Sequence, residues 1–118
     1  MTLAPSEQDD FRRHGVIIRR QVVSPQLLEA AQQLVEDWYR QSFDATCIAE
    51  YTQRTFAPAL GEHPALLRLL TESPAWTLAE SLLGQIAPVT TAQIQIRIPE
   101  ADLAIGQPIK TMHVDGVS

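Results

Sequence analysis

Hydrophobic residues recur at helical spacing through the middle of the chain. Ser24 and Pro25 form a helix start, because serine caps the first turn and proline suits the first helical position. The apolar positions that follow lie on one helical stripe: Leu27, Leu28, Ala31, Leu34, Val35 and Trp38. The pattern predicts an amphipathic helix that reaches about Gln41.

Three other segments carry local helix signals. Ser6 is expected to cap a short first helix that ends near Gly15, a residue suited to the left-handed position after a helix. The pairs His63-Pro64 and Ser73-Pro74 predict two further helices. Residues 42–61 are less regular, and we expect a loop there with at most a short helix.

Three runs predict strands. The first, residues 16–23, opens with Val16-Ile17-Ile18, and the last spans residues 109–115. The middle run places isoleucines on one face and polar residues on the other: Ile94, Ile96 and Ile98 against Gln93, Gln95 and Arg97. Helices followed by strands predict an α+β fold.

Composition narrows the class of protein. The chain has 118 residues, 45% of them hydrophobic, which predicts a single globular domain at most. The formal net charge is −5, and no basic run exceeds two residues, so nucleic acid and anionic membranes are poor partners. No apolar run approaches the length of a bilayer span. The single cysteine, Cys47, cannot form an internal disulfide, which favours a cytoplasmic location.

The most informative chemistry lies near position 113. His113 and Asp115 are two residues apart, so on a strand they would face the same way and offer an imidazole nitrogen and a carboxylate oxygen to one metal ion. These are two of the three ligands of the 2-His-1-carboxylate triad that holds Fe(II). A solvated strand end or a turn is the alternative interpretation of such a short pattern. His14 and His63 are weak candidates for a third ligand, because neither has a partner at ligand spacing.

Several segments, taken in order, resemble the N-terminal half of the phytanoyl-CoA dioxygenase family of Fe(II)/2-oxoglutarate-dependent oxygenases. The resemblance covers nearly the whole chain and rests on five landmarks: the helix-glycine-strand element from Phe11 to Arg19, Val23-Ser24-Pro25 and its helix, the paired helices from His63 to Gly84, the run from Gln93 to Arg97, and His113-Val114-Asp115-Gly116.

The resemblance implies a fold and a division of the chain. Family members place an N-terminal helical layer before a double-stranded β-helix, a jelly-roll or cupin-like barrel. We therefore expect residues 1–118 to form one partial domain, mainly helical over residues 1–85. Residues 86–118 would carry the first strands of an incomplete barrel, ending at the His-x-Asp motif.

The resemblance also implies site residues. His113 and Asp115 would be the first two iron ligands, with 2-oxoglutarate as co-substrate. Gln95, and with it Gln93 or Arg97, would contact the co-substrate, although a solvated polar face explains these three equally well. The family's distal histidine and its 2-oxoglutarate-binding basic residue have no counterpart among the 118 residues.

Two classes of function follow. The first is an enzyme: a fragment of a non-haem Fe(II)/2-oxoglutarate-dependent dioxygenase that hydroxylates a small organic or acyl substrate. The alternative is a truncated, non-catalytic member of the family that acts as a partner-binding or assembly module. In either case an incomplete sheet would expose a strand edge, and an oligomer or a second chain could complete it.

Overall fold

The computed structural model describes residues 2–96, apart from the side chains at positions 52 and 53. This part of the chain consists of helices joined by irregular segments. Its elements, in chain order, are α1 (Pro5–His14), α2 (Pro25–Ser42), a 3-10 turn (Ala45–Cys47), α3 (Ile48–Gln53), a second 3-10 turn (Pro58–Leu60), α4 (Pro64–Thr71) and α5 (Ala75–Leu83).

Helix α2 begins and ends where its sequence predicts. Pro25 occupies the first helical position, and the Oγ atom of Ser24 accepts a hydrogen bond from the N–H of Leu27 at 3.4 Å. The helix ends at Ser42, one residue beyond the predicted Gln41. The predicted helix is therefore confirmed, although Leu28 of its predicted apolar stripe is 49% exposed.

Helix α1 starts differently from the prediction. It begins at Pro5, and Ala4 is the N-cap residue, so Ser6 lies inside the helix and the predicted serine cap is wrong. The carboxylate of Glu7 reaches back and accepts the N–H of Ala4 at 3.0 Å, which leaves the first turn without need of a serine. The end is as predicted: Gly15 takes a left-handed φ of 72°.

Helices α4 and α5 are joined by a buried serine. The Oγ of Ser73 donates to the carbonyl of Leu69 at 2.6 Å and accepts the N–H of Ala75 at 3.2 Å. One hydroxyl thus satisfies an orphan group at the end of α4 and another at the start of α5. Ser73 is the buried polar residue among the described side chains, with 9% of its surface exposed.

The core is small and joins α2 to α4. Ala31 of α2, Leu60 of the second 3-10 turn and Leu66 of α4 are buried together. The half-buried residues around them belong to α2, α4 and two irregular segments: Leu34, Val35, Trp38, Ala57, Leu69, Ala92 and Ile94. The predicted core position of Trp38 is confirmed.

The α+β prediction is wrong for the part of the chain that the structure describes. Residues 2–96 contain no strand, so they provide none of the predicted first strands of a double-stranded β-helix. The last predicted strand, at residues 109–115, lies outside the described residues.

A strand needs a partner as well as a suitable sequence. The backbone groups of residues 16–18 make no hydrogen bond to another described residue, and Gln21, with φ of 57°, breaks the run before Val22. Residues 91–96 do have a neighbour, but it includes the 3-10 turn Pro58–Leu60 and cannot form a regular ladder.

An ion pair attaches the segment after α1 to the start of that helix. The Nε of Arg19 lies 2.6 Å from a carboxylate oxygen of Glu7, and a terminal nitrogen of Arg19 donates to the carbonyl of Thr2 at 2.9 Å. Both charged side chains are about 30% exposed or less. The backbone N–H of Ala4, and then Arg19, hold the pKa of Glu7 below its ordinary value.

None of the helices in residues 2–96 combines the length and the apolar character that crossing a membrane requires.

Replacing Ser73 with alanine should destabilise the junction between α4 and α5. Ser73→Ala leaves the N–H of Ala75 without its acceptor, and we expect the free energy of unfolding to fall by about 1–3 kcal/mol. Urea denaturation measures the change. Ser6→Ala is the matched control, since Ser6 is exposed, and it should stay within about 0.5 kcal/mol of the parent. Equal losses in both variants would contradict the junction role.

The lowered pKa of Glu7 predicts a loss of stability in acid. The unfolded chain binds a proton at Glu7 more readily than the folded chain, so stability falls as the pH drops towards the folded pKa. Thermal unfolding from roughly pH 6 to pH 3 should therefore show a smaller decrease in Tm for Glu7→Gln than for the parent. Glu29→Gln, at an exposed site on α2, should follow the parent curve. Parallel curves for the parent and Glu7→Gln would refute this role.

Candidate functional site

The predicted metal ligands, His113 and Asp115, lie outside the described residues, and so does Arg97. Gln93 and Gln95 are described. Both side chains are exposed, and they alternate with the half-buried residues Ala92, Ile94 and Ile96. The predicted division into a polar and an apolar face is therefore confirmed over residues 92–96, without the predicted strand.

Three hydrogen bonds hold this segment against the loop that follows α3. The N–H of Phe56 donates to the carbonyl of Ile94 at 2.6 Å, and the N–H of Ala92 donates to the carbonyl of Gly61 at 2.7 Å. The N–H of Ile94 donates to the Oγ1 of Thr55 at 3.0 Å. We call these contacts, made by residues 55–61, the Thr55–Gly61 clamp.

Close packing at Gly61 tightens the clamp. A Cβ atom at this position would lie 3.0 Å from the Oγ1 of Thr91 and 3.2 Å from the carbonyl oxygen of Ala92. Contacts this short require one neighbour to move, so the absence of a side chain is what allows the two segments to touch. Gly61 itself has an ordinary right-handed helical conformation.

The clamp also contains an unusual backbone conformation. Ala57 takes φ of 48° and ψ of 65°, the left-handed region that residues with a Cβ seldom adopt. On either side of it, Phe56 and Leu60 are 2% and 3% exposed. Burial of these two side chains fixes the chain on both sides of Ala57 and keeps it in this conformation.

His63 and Cys47 make local contacts within the described residues. The Nδ1 of His63 accepts the N–H of Ala65 at 3.1 Å and so caps α4. Cys47 is a half-buried free thiol, 3.8 Å from the Oγ1 of Thr46. Over residues 2–96, no three His, Cys, Asp or Glu side chains are grouped closely enough to hold a metal ion.

Aromatic residues at the end of α2 pack as a cluster rather than around a cavity. Tyr39 stacks on Phe43 with ring centroids 4.5 Å apart, and Tyr51 meets Phe56 edge to face at 5.3 Å. The hydroxyl of Tyr51 accepts the N–H of Asp44 at 3.1 Å. Tyr39 keeps 39% of its surface exposed, so the cluster lies at the surface of the described structure.

The clamp is the feature that sequence reasoning missed. Thr55 and Ile94 are 39 residues apart, and neither stands in a motif that predicts their contact. The one available signal is the glycine at position 61 after a buried leucine, which is consistent with close backbone packing but does not identify the partner.

The hydroxyl of Thr55 should be what fixes the backbone at position 94. Thr55→Val keeps the shape and removes the acceptor of the Ile94 N–H, so we expect amide exchange at Ile94 to accelerate about tenfold. Thr55→Ser retains the oxygen and should preserve protection. Hydrogen exchange followed by NMR measures both. Unchanged protection in Thr55→Val would show that other contacts hold the segment.

The comparisons with known proteins add no relative: no family model, no curated protein and no solved structure matches this chain.

Proposed function

We propose that His113 and Asp115 bind Fe(II) and that the chain contributes to a 2-oxoglutarate-dependent hydroxylase acting on a small organic or acyl substrate. The observation that supports this is the sequence His113-Val114-Asp115-Gly116, which follows four other landmarks in the order found in the phytanoyl-CoA dioxygenase family. An imidazole and a carboxylate suit Fe(II), and neither favours a soft metal as thiolates would.

The donor set defines what the two side chains do. Asp115 supplies a negative charge that offsets part of the charge of the metal ion, and His113 binds through a neutral ring nitrogen. The bound metal, with 2-oxoglutarate and dioxygen, supplies the chemistry that hydroxylates a C–H bond. A complete triad needs a second imidazole. His63 is a poor source of it, because its Nδ1 already caps α4.

In this proposal, the exposed glutamines Gln93 and Gln95 contact the co-substrate. The side-chain amides of Gln93 and Gln95 can donate hydrogen bonds to the carboxylates of 2-oxoglutarate. The Thr55–Gly61 clamp holds the backbone between them, so their positions are set by buried contacts rather than by an unsupported loop. Arg97 follows in the same alternation and would add a positive charge.

A second candidate function is a non-catalytic assembly module. The observation that favours it is an exposed apolar pair: Val16 and Ile18 have 60% and 76% of their surface accessible. Adjacent exposed residues of this size are typical of surfaces that bind another protein. Metal binding together with binding of 2-oxoglutarate to the metal-loaded protein distinguishes the two candidates.

Metal binding should depend on both predicted ligands. We expect Co(II), used as a stable probe for Fe(II), to bind the parent protein, and His113→Ala and Asp115→Ala each to weaken binding at least tenfold. Isothermal titration calorimetry measures the affinities. Glu29→Ala is the control, because Glu29 is exposed on α2, is not a candidate ligand and should not affect the metal.

The outcomes separate the candidates. Equal Co(II) affinity in the parent and in His113→Ala would exclude the proposed ligands. Binding that depends on His113 and Asp115, followed by binding of 2-oxoglutarate to the metal-loaded protein, would support the enzyme. Metal binding without 2-oxoglutarate binding would favour the assembly module.

A further inference from the structure

A groove of about 450 Å³ lies between α1 and the segment that follows it. One wall is the face of α1 that carries Glu7, Asp10 and His14, and the other is the segment Val16–Ile18. Acidic and apolar groups therefore line the same depression. We call this the α1 groove.

The backbone beside the groove is available for pairing. Exposure alternates from residue 16 to residue 20, as in an extended chain: Val16, Ile18 and Arg20 are exposed, and Ile17 and Arg19 are half-buried. No described residue makes a hydrogen bond to the backbone N–H or C=O groups of residues 16–18. Such an edge can accept a second extended segment.

The charges of the groove are not balanced within the described residues. Glu7 is paired with Arg19, and Asp9 is paired with Arg12. The side chain of Asp10, in the groove, makes no hydrogen bond or ion pair with another described residue, and neither does the exposed side chain of Arg20. The groove thus presents a carboxylate, and Arg20, two residues beyond the segment that forms its other wall, presents a guanidinium.

We propose that the α1 groove binds a second copy of this chain, with the two segments of residues 16–18 paired antiparallel about Ile17. A two-fold axis brings the same surface of both copies together, so each copy must supply what the other lacks. The chain meets this condition. Val16 and Ile18 would face the same pair of the partner, and each copy has one acidic and one basic group to exchange.

The register predicts which charges meet. In an antiparallel pair centred on residue 17, position 20 of one copy lies opposite position 14 of the other. Asp10 lies one helical turn before His14 on the same face of α1. The long side chain of Arg20 can therefore reach Asp10 of the second copy, and symmetry gives two such pairs.

The predicted dimer is of moderate affinity. The pairing edge is short, so the interface falls below the size of a permanent one, and we expect a Kd of roughly 10–100 µM. This inference does not depend on metal binding, since none of its residues belongs to the proposed iron site.

Sedimentation of the full 118-residue chain across a concentration series tests the proposal. The parent should be in monomer–dimer equilibrium. Ile18→Lys should raise the Kd at least tenfold, because it places a charge opposite Val16 of the second copy, next to the two-fold axis. Leu83→Lys introduces the same charge at a residue that is 69% exposed on α5 and does not line the groove, and it should leave the Kd within threefold.

A charge exchange tests the register. Asp10→Lys and Arg20→Glu should each raise the Kd about tenfold, and the double variant should return to within threefold of the parent. Circular dichroism and a thermal melt establish that every variant is folded. A parent that stays monomeric at several hundred micromolar would overturn the proposal. A dimer that survives Ile18→Lys would overturn it as well, by assigning association to another surface.

Discussion

The packing of α2 on α4 through Ala31 is the constraint on which the described structure depends. Alanine at this position lets the two helices approach closely, and Leu60 and Leu66 complete the contact. The core recruits residues from the irregular segments as well, among them Ala57 and Ile94. No described side chain of the core has less than 2% of its surface exposed. Little other buried surface is therefore present to compensate if this contact is lost.

A small core explains why hydrogen bonds at irregular positions matter in this molecule. Ala92 and Ile94 touch the core on one side, and the Thr55–Gly61 clamp binds their backbone on the other. If these segments packed together without the hydrogen bonds, their buried N–H groups would have no acceptors. The free-energy cost of an unsatisfied buried N–H group is larger than the net stabilisation from one hydrogen bond. The exposed glutamines at positions 93 and 95 take their placement from these contacts. If the proposed co-substrate role is correct, its geometry originates in the α2–α4 contact.

Local signals were sufficient for the helices and insufficient for the rest. The starts of α2 and α4 were predictable because proline at the first helical position and a capping side chain act within three residues. The α1 cap was predicted wrongly because Pro5 takes the first helical position and the carboxylate of Glu7 accepts the N–H of Ala4. The helix therefore starts before Ser6. The strands predicted within the described residues, at 16–23 and 93–96, were predicted wrongly because a strand-like sequence shows which side chains suit burial, and not whether a partner backbone is present. In residues 92–96, exposed and half-buried side chains alternate, although the neighbouring segment includes a 3-10 turn and is not a strand. The clamp joins positions 39 residues apart, so no short window of sequence contains it.

The exposure of Val16 and Ile18, near the N-terminal end of the described chain, also follows from a contact that fixes the backbone. The ion pair of Arg19 with Glu7 turns that side chain towards α1, and Ile17, two residues earlier, points the same way. In an extended segment Val16 and Ile18, which alternate with these two residues, must then point outwards, whatever their polarity. Two β-branched side chains are thus held in water by a half-buried ion pair rather than left there by loose packing. An unsupported segment could turn such side chains inwards and bury them. This one is fixed at Arg19, so burial of its apolar side chains requires a surface brought from outside the described residues.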